Sequence, residues 1–116
     1  MRLLQTLGTA AALVCAAFPA FAAGESADQI AIGKHMAETY CSGCHATGVK
    51  GQSPRKEAPL FRQLGRRYAL DDLQEALAEG IAVGHPDMPQ FEFSPEQGDA
   101  LIAYLKSIQT AAPKRR

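Results

Sequence analysis

The stretch Cys41-Ser42-Gly43-Cys44-His45 decides the interpretation of this chain of 116 residues. Two cysteines three positions apart at the end of a helix face the same way, which suits thioether bonds to neighbouring groups on one flat ring. The histidine that follows would lie beneath that ring and bind an iron atom at its centre. Cys-x-x-Cys-His is the attachment signature of c-type haem. We therefore predict one covalent haem (heme c) on Cys41 and Cys44, with His45 as an axial iron ligand.

Three other kinds of site use closely spaced cysteines, and each fits this sequence less well. A thioredoxin-like redox pair requires a strand–helix–strand setting, which the pattern of residues does not provide. A structural zinc site requires four ligands, whereas His35 and His85 lack the paired spacing of such sites. An ordinary disulfide of an exported protein leaves the histidine directly after the pair unexplained.

Residues 1–22 have the pattern of a secretory signal peptide. Met1-Arg2 gives a positive start, Ala10 to Phe18 is an unbroken apolar stretch, and Ala20-Phe21-Ala22 supplies the small residues that signal peptidase recognises. We expect cleavage after Ala22, or one residue later, and a periplasmic location for the product. An uncleaved membrane anchor is the alternative, but a span needs roughly 20 apolar residues and polar residues interrupt this segment.

Cleavage would leave residues 23–116 as a single domain of 94 residues with a short basic tail at 113–116. Loss of Arg2 leaves 11 Lys and Arg against 12 Asp and Glu, which gives no indication of nucleic acid or lipid binding. No second apolar segment approaches membrane-spanning length, so we expect no span in the mature chain. Loss of Cys15 with the signal removes the third cysteine, and we expect a monomer.

The rest of the chain has the pattern of an all-α domain. No segment alternates apolar and polar residues over the length of a strand, whereas apolar residues recur at helical spacing. Ser26 can cap a first helix, and Asp71 with Gln74 resembles a capping box that opens a second helix, which ends at Gly80. The run Ser94-Pro95-Glu96-Gln97 starts the last helix.

The segments between these helices are rich in glycine and proline. Residues 46–58 are predicted to form a polar loop, and a short helical turn is expected near Leu60 to Leu64. Residues 81–93 contain two prolines and cannot form a regular helix.

The second axial ligand of the iron must come from another part of the chain. Met88 lies in a loop 43 residues after His45, and its flanking prolines limit the entropy lost when the thioether is fixed. His85 is the rival ligand, since a neutral imidazole also binds iron. Met36 is too close to Cys41 along the helix to reach the far face of a haem. We favour Met88, which as the partner of His45 would raise the reduction potential.

With these motifs, the chain resembles the class I c-type cytochromes over nearly the whole length of its predicted mature part. Gly33 stands eight residues before Cys41, where that family has its helix-crossing glycine. Leu101-Ile102-Ala103-Tyr104-Leu105 is similar to the family's C-terminal helix. The resemblance implies a cytochrome c fold of three to five helices around one haem, with the first and last helices crossing and Gly33 beneath Leu101 and Tyr104.

The resemblance also extends to the surroundings of the iron. Met88-Pro89 is similar to the family's methionine-ligand loop. Ala58-Pro59-Leu60 is similar to the segment whose proline carbonyl accepts a hydrogen bond from the ligand histidine, which implies that Pro59 orients His45. The chain departs from the family at Ala37, where an aromatic residue is usual, although Tyr40 is nearby.

Charge is unevenly distributed along the sequence. Residues 46–70 contain six basic residues and one acid, whereas residues 71–100 contain eight acids and no Lys or Arg. Such a dipolar surface would steer weak, salt-sensitive encounters with redox partner proteins, or both runs would simply be solvated surface. Arg66 and Arg67 are candidates for contacts with the haem propionates, because an Arg fork suits a carboxylate.

The sequence therefore favours a one-electron carrier that cycles haem iron between the ferric and ferrous states and is not an enzyme. A cytochrome subunit dedicated to one dehydrogenase or oxidase complex has the same chemistry and is the alternative. A haem enzyme or gas-binding protein is a third hypothesis, which requires an open sixth position on the iron.

Overall fold

The computed structural model describes residues 24–80 and 86–111. Helix α1 spans Ala27–Tyr40, a 3₁₀ helix spans Phe61–Arg66, α2 spans Leu70–Glu79 and α3 spans Pro95–Ser107. The described part of the chain contains no strand, and the prediction of an all-α fold is confirmed. The predicted signal peptide (1–22), Cys15, His85 and the basic tail (113–116) lie outside the described residues.

The starts of the first and last helices follow the predicted capping patterns. Ser26 accepts a hydrogen bond of 3.1 Å from the backbone N–H of Gln29 at the start of α1. At the start of α3, Ser94 and Gln97 form a full capping box, with Pro95 at the first helical position. Both caps satisfy N–H groups that have no partner within the helix.

The start of α2 differs from the prediction. The helix begins at Leu70 after Ala69, and no side chain caps it, so the predicted box of Asp71 and Gln74 is wrong. Asp71 instead forms an ion pair of 2.8 Å with Lys106 of α3, and Gln74 donates a hydrogen bond to Asp99 of α3. Both side chains thus bind residues of α3 and do not cap the start of α2. The predicted end of α2 is confirmed, because Gly80 has the left-handed φ of 71°.

Helices α1 and α3 cross where α1 has a glycine in its interior. A Cβ atom on Gly33 would lie 1.9 Å from the carbonyl oxygen of Ala100 and 2.8 Å from the Cβ of Tyr104. The prediction placed Gly33 beneath Leu101 and Tyr104, and the first of these contacts belongs to Ala100 instead. Residues 100 and 104 are four apart and form one ridge of α3, which enters the gap that the missing side chain leaves in α1.

Helix α3 is the centre of the core. Its residues 100–105 are all buried, and they pack against apolar side chains from the other three helices. Those side chains are Ala37 of α1, Phe61 and Leu64 of the 3₁₀ helix, and Leu73 and Leu77 of α2. Within residues 24–80 and 86–111, no helix combines the length and the apolar character that a bilayer span requires.

Candidate haem site

The cysteine pair lies in a turn that continues from the end of α1. The helix ends at Tyr40, and the N–H of Cys41 donates the last helical hydrogen bond, to the carbonyl oxygen of Ala37. The N–H groups of Cys44 and His45 then both donate to the carbonyl oxygen of Cys41, at 3.2 and 2.9 Å. This closed turn holds the two half-buried thiols and the imidazole at one end of the helix.

These three side chains line an apolar cleft of about 250 Å³. Its other walls come from the 3₁₀ helix, α2, α3 and the segment that precedes α3, with Phe61, Leu64, Leu73, Leu77, Leu101 and Leu105 among the lining residues. Ligand sites in proteins are typically of this kind, mostly apolar with a few polar groups that fix the orientation of the ligand.

The ring of His45 is held from two sides. Its Nδ1 atom lies 2.7 Å from the carbonyl oxygen of Pro59, and because a carbonyl only accepts, Nδ1 carries the proton. The ring of Phe61 packs against the imidazole with 5.0 Å between centroids. This tautomer leaves the lone pair on Nε2, which is the form that a metal ion binds.

The predicted second ligand lies at the same cleft. Met88 is half-buried and lines the cavity together with Pro89, in the segment that leads into α3. Met36, which was not expected to be a ligand, is buried on α1 and is not among the lining residues. Among the described residues, the cleft is thus lined by the imidazole of His45 and the thioether of Met88, the two donor groups of a His/Met haem.

The two predicted propionate-binding arginines occupy different positions. Arg67 follows the 3₁₀ helix and lines the cleft. The guanidinium group of Arg66 donates hydrogen bonds of 2.9 and 3.4 Å to the carbonyl oxygen of Ala111 and the hydroxyl group of Thr110. Arg66 thus binds the segment after α3.

The apolar wall affects the chemistry of the first cysteine. Burial raises the pKa of the Cys41 thiol to about 11, so this side chain is neutral at neutral pH. A neutral thioether suits the same wall, because it places no charge in apolar surroundings.

An aromatic group at the edge of the cleft was not predicted from the sequence. The rings of Phe91 and Phe93 stack with centroids 5.3 Å apart, and the ring of Tyr40 contacts both at 6.3 and 5.7 Å. The pair of phenylalanines directly before the Ser94 cap was the available signal, since it stands out in a polar segment. These contacts fix the segment that carries Met88 to the end of α1.

The sequence model of a protein family matches residues 28–105, and this family is described as cytochrome C oxidase, cbb3-type, subunit III. The chain belongs to this family. The match runs from α1 to α3 and includes both the cysteine turn and Met88. No curated protein and no solved structure matches the chain.

Membership of this family makes the chain a c-type cytochrome, and the predicted family and fold are confirmed. The cytochrome binds haem and carries electrons. Its cleft fits such a group by three observations: apolar walls, an imidazole with a free Nε2 atom, and a thioether on a separate segment.

Proposed function

We propose that this cytochrome carries single electrons as a diffusible protein, with one haem attached through Cys41 and Cys44 and ligated by His45 and Met88. The observation that carries the proposal is the cleft itself, because residues from α1 and from the segment before α3 meet there. Haem supplies an iron that changes between ferric and ferrous states by one electron. The chain supplies fixed ligands and an apolar enclosure, which limit the rearrangement that accompanies each transfer.

His45 is the ligand whose surroundings support the proposal most directly. The hydrogen bond from Nδ1 to Pro59 fixes the orientation of the ring and makes Nε2 a better donor. The ring of Phe61 packs against the imidazole of His45 and restricts its rotation. The function of Pro59 in this proposal is thus to hold the ligand.

Met88 would hold the iron through its thioether, which would raise the reduction potential. A thioether held on the iron would also exclude small ligands, which would separate an electron carrier from a gas-binding protein or a haem enzyme. Arg67, at the wall of the cleft, is the arginine that we propose for a bidentate contact with a haem propionate. Arg66 binds residues 110 and 111 and has a smaller part in this proposal.

We also propose that residues 1–22 direct export and that the cytochrome functions in the periplasm. The support is the charged start, the apolar stretch and the small residues at 20 and 22.

A second candidate function is that of a cytochrome subunit within an oxidase complex. The description of the family, which names subunit III of a cbb3-type oxidase, favours this candidate. The chemistry at the cleft is identical in both cases, and the affinity for a partner differs. Purification under mild conditions separates the two, because a subunit is recovered with its complex and a diffusible carrier is recovered alone.

The ligand assignment is tested on the full precursor, expressed in a host with haem-attachment machinery. The purified protein should show a covalent c-type spectrum and the weak sulfur–iron band in the ferric state, and its ferrous state should not bind carbon monoxide. Met88→Ala should remove the band, lower the reduction potential and admit carbon monoxide.

Met36→Leu is the matched control, because it replaces the other methionine of the domain inside the core with little change of volume. This variant should keep the band and the potential. Rapid carbon monoxide binding by the unaltered protein, or an unchanged spectrum in Met88→Ala, would rule Met88 out as the ligand.

A further inference from the structure

An ion pair joins two distant parts of the chain at the cleft. The Nη2 atom of Arg55 lies 2.8 Å from the Oδ2 atom of Asp87, and the two residues are 32 positions apart in sequence. Both residues also line the cleft. Asp87 directly precedes Met88, so the ion pair acts on the backbone next to the proposed ligand.

The backbone of Arg55 is attached to the opposite part of the site. Its N–H group donates a hydrogen bond of 3.2 Å to the carbonyl oxygen of Cys44. Cys44 belongs to the turn that carries the proposed haem attachment and precedes His45. Arg55 therefore connects the histidine side of the site, through its backbone, with the methionine side, through its guanidinium group.

The same segment is anchored again on the far side of Met88. Phe91 and Phe93 pack against Tyr40, and the N–H of Phe93 donates a hydrogen bond of 3.1 Å to the carbonyl oxygen of Leu77. These contacts are apolar or between backbone groups, and they lie three to five residues after Met88. The ion pair of Arg55 with Asp87 is an anchor that lies immediately before Met88.

We propose that Arg55 is a positioning residue that keeps Met88 on the haem iron by holding Asp87 against the cysteine turn. This inference rests on the proposed ligation by Met88. Without the ion pair, the apolar anchor still fixes the end of the segment that joins α3. The start of the segment then moves away from the cleft more often, and the sixth position of the iron opens more often.

The expected effect is modest because the pair is partly exposed. The side chains of Arg55 and Asp87 are 43% and 57% exposed, and pairs of this kind stabilise one geometry only by a small factor. Loss of the pair should therefore raise the rate of carbon monoxide binding to the ferrous protein about two- to fivefold. Salt should reproduce part of this effect in the unaltered protein by screening the pair.

The test compares Arg55→Gln, Asp87→Asn and the double variant, each as the haem-loaded protein. Both single variants should speed carbon monoxide binding and weaken the ferric sulfur–iron band on mild heating. The double variant should be no faster than the faster single variant, because both substitutions break the same contact. Arg55→Lys keeps the positive charge but loses the planar guanidinium group. The rate of carbon monoxide binding to this variant should lie between the rates for the unaltered protein and for Arg55→Gln.

Lys34→Gln is the matched control for loss of an exposed basic partner. Lys34 pairs with Glu38 at 3.8 Å on α1, with side chains 59% and 53% exposed, and neither residue lines the cleft. This variant should bind carbon monoxide at the rate of the unaltered protein. The midpoint of chemical unfolding, measured for every variant, separates loss of the ligand from loss of the fold.

A purely electrostatic role for Arg55 gives a different result. Removal of a positive charge would then lower the reduction potential, removal of the negative charge of Asp87 would raise it, and carbon monoxide binding would stay unchanged. That outcome overturns the inference while Met88 remains the ligand. Fast carbon monoxide binding by the unaltered protein overturns the ligand assignment and the inference together.

Discussion

The hydroxyl group of Tyr104 on α3 donates a hydrogen bond of 2.7 Å to the carbonyl oxygen of Thr47, which is two residues after His45. Both residues are buried, and the bond joins positions 57 apart in sequence. Tyr104 also borders Gly33 at the crossing of α1 and α3. One side chain thus connects the helix crossing with the backbone that leaves the cysteine turn.

Loss of this hydroxyl group should destabilise the domain. Tyr104→Phe leaves the buried carbonyl of Thr47 without its donor, and we expect the free energy of unfolding to fall by about 1–3 kcal/mol. The measurement is denaturant unfolding of the haem-loaded protein. Tyr68→Phe is the control, because Tyr68 is 41% exposed and its hydroxyl group should be replaceable with little change. Equal effects of the two substitutions would contradict the assigned role of Tyr104.

Because of Tyr104, we expect the domain to lose stability at high pH. Burial, and to a lesser extent the charge of Glu38, raises the pKa of Tyr104 above its ordinary value of 10.0. The folded state therefore favours the protonated form, whose contribution is complete below pH 10 and is lost as the pH rises through the pKa of the folded state. The free energy of unfolding should fall more steeply above pH 10 in the unaltered protein than in Tyr104→Phe. Parallel curves for the two proteins would show that another group is responsible.

A methyl group at position 33 should disrupt the helix crossing. In Gly33→Ala the new Cβ would meet the backbone oxygen of Ala100, which cannot move without displacing α3. We expect a loss of about 1–3 kcal/mol in the free energy of unfolding, despite the better helix propensity of alanine. Gly48→Ala is the control, because among the described residues only its chain neighbours lie within 4 Å of a Cβ built there. If Gly33→Ala is as stable as this control, the close approach of the helices is not the reason for the glycine.

The covalent attachment of haem is tested by unfolding the protein. We predict that haem stays with the chain in acidified organic solvent and that the mass corresponds to residues 23–116 plus one haem. Cys41→Ala with Cys44→Ala should release the group under the same conditions. A mass that includes residues 1–22 would contradict the proposed cleavage, and free haem from the unaltered protein would contradict the thioether bonds.

The distribution of charge predicts a response to salt with partners of either sign. Residues 46–70 are mostly basic and residues 71–100 mostly acidic, although the pairs Arg55–Asp87 and Asp71–Lys106 neutralise part of each group. Electron exchange with a strongly basic and with a strongly acidic redox protein should therefore slow as salt is added. Exchange with an uncharged mediator is the control and should not change. If salt does not change the rate of electron exchange with either protein, electrostatic steering has no role in these encounters.

The outcomes at the helix starts show how far local sequence predicts this fold. Ser26 and the box of Ser94 with Gln97 depend only on neighbours three positions away, and their sequence patterns predict them. The pattern at Asp71 is similar, but Lys106, 35 residues later, takes its carboxylate. A capping pattern cannot report a competing contact that forms only when two helices pack.

At the cleft too, local motifs predict individual residues but not the contacts between residues that are distant in sequence. The cysteines, His45 and Met88 come from motifs with fixed spacing, whereas the contact of Arg55 with Asp87 joins two loops that lack any periodic pattern. The departure at Ala37 also has a structural account. Ala37 is completely buried, and the aromatic side chain of this helix end is that of Tyr40, which contacts Phe91 and Phe93.

The central position of α3 has a consequence for the order of events during biosynthesis. Leu101 and Leu105 belong to the core against which Cys41 packs, and α3 is synthesised after the other three helices. Before α3 is present, the face of α1 that contains Gly33 lacks the helix that packs against it. A chain that stops before α3 should therefore keep Cys41 open to thiol reagents, because the core against which this side chain packs requires α3.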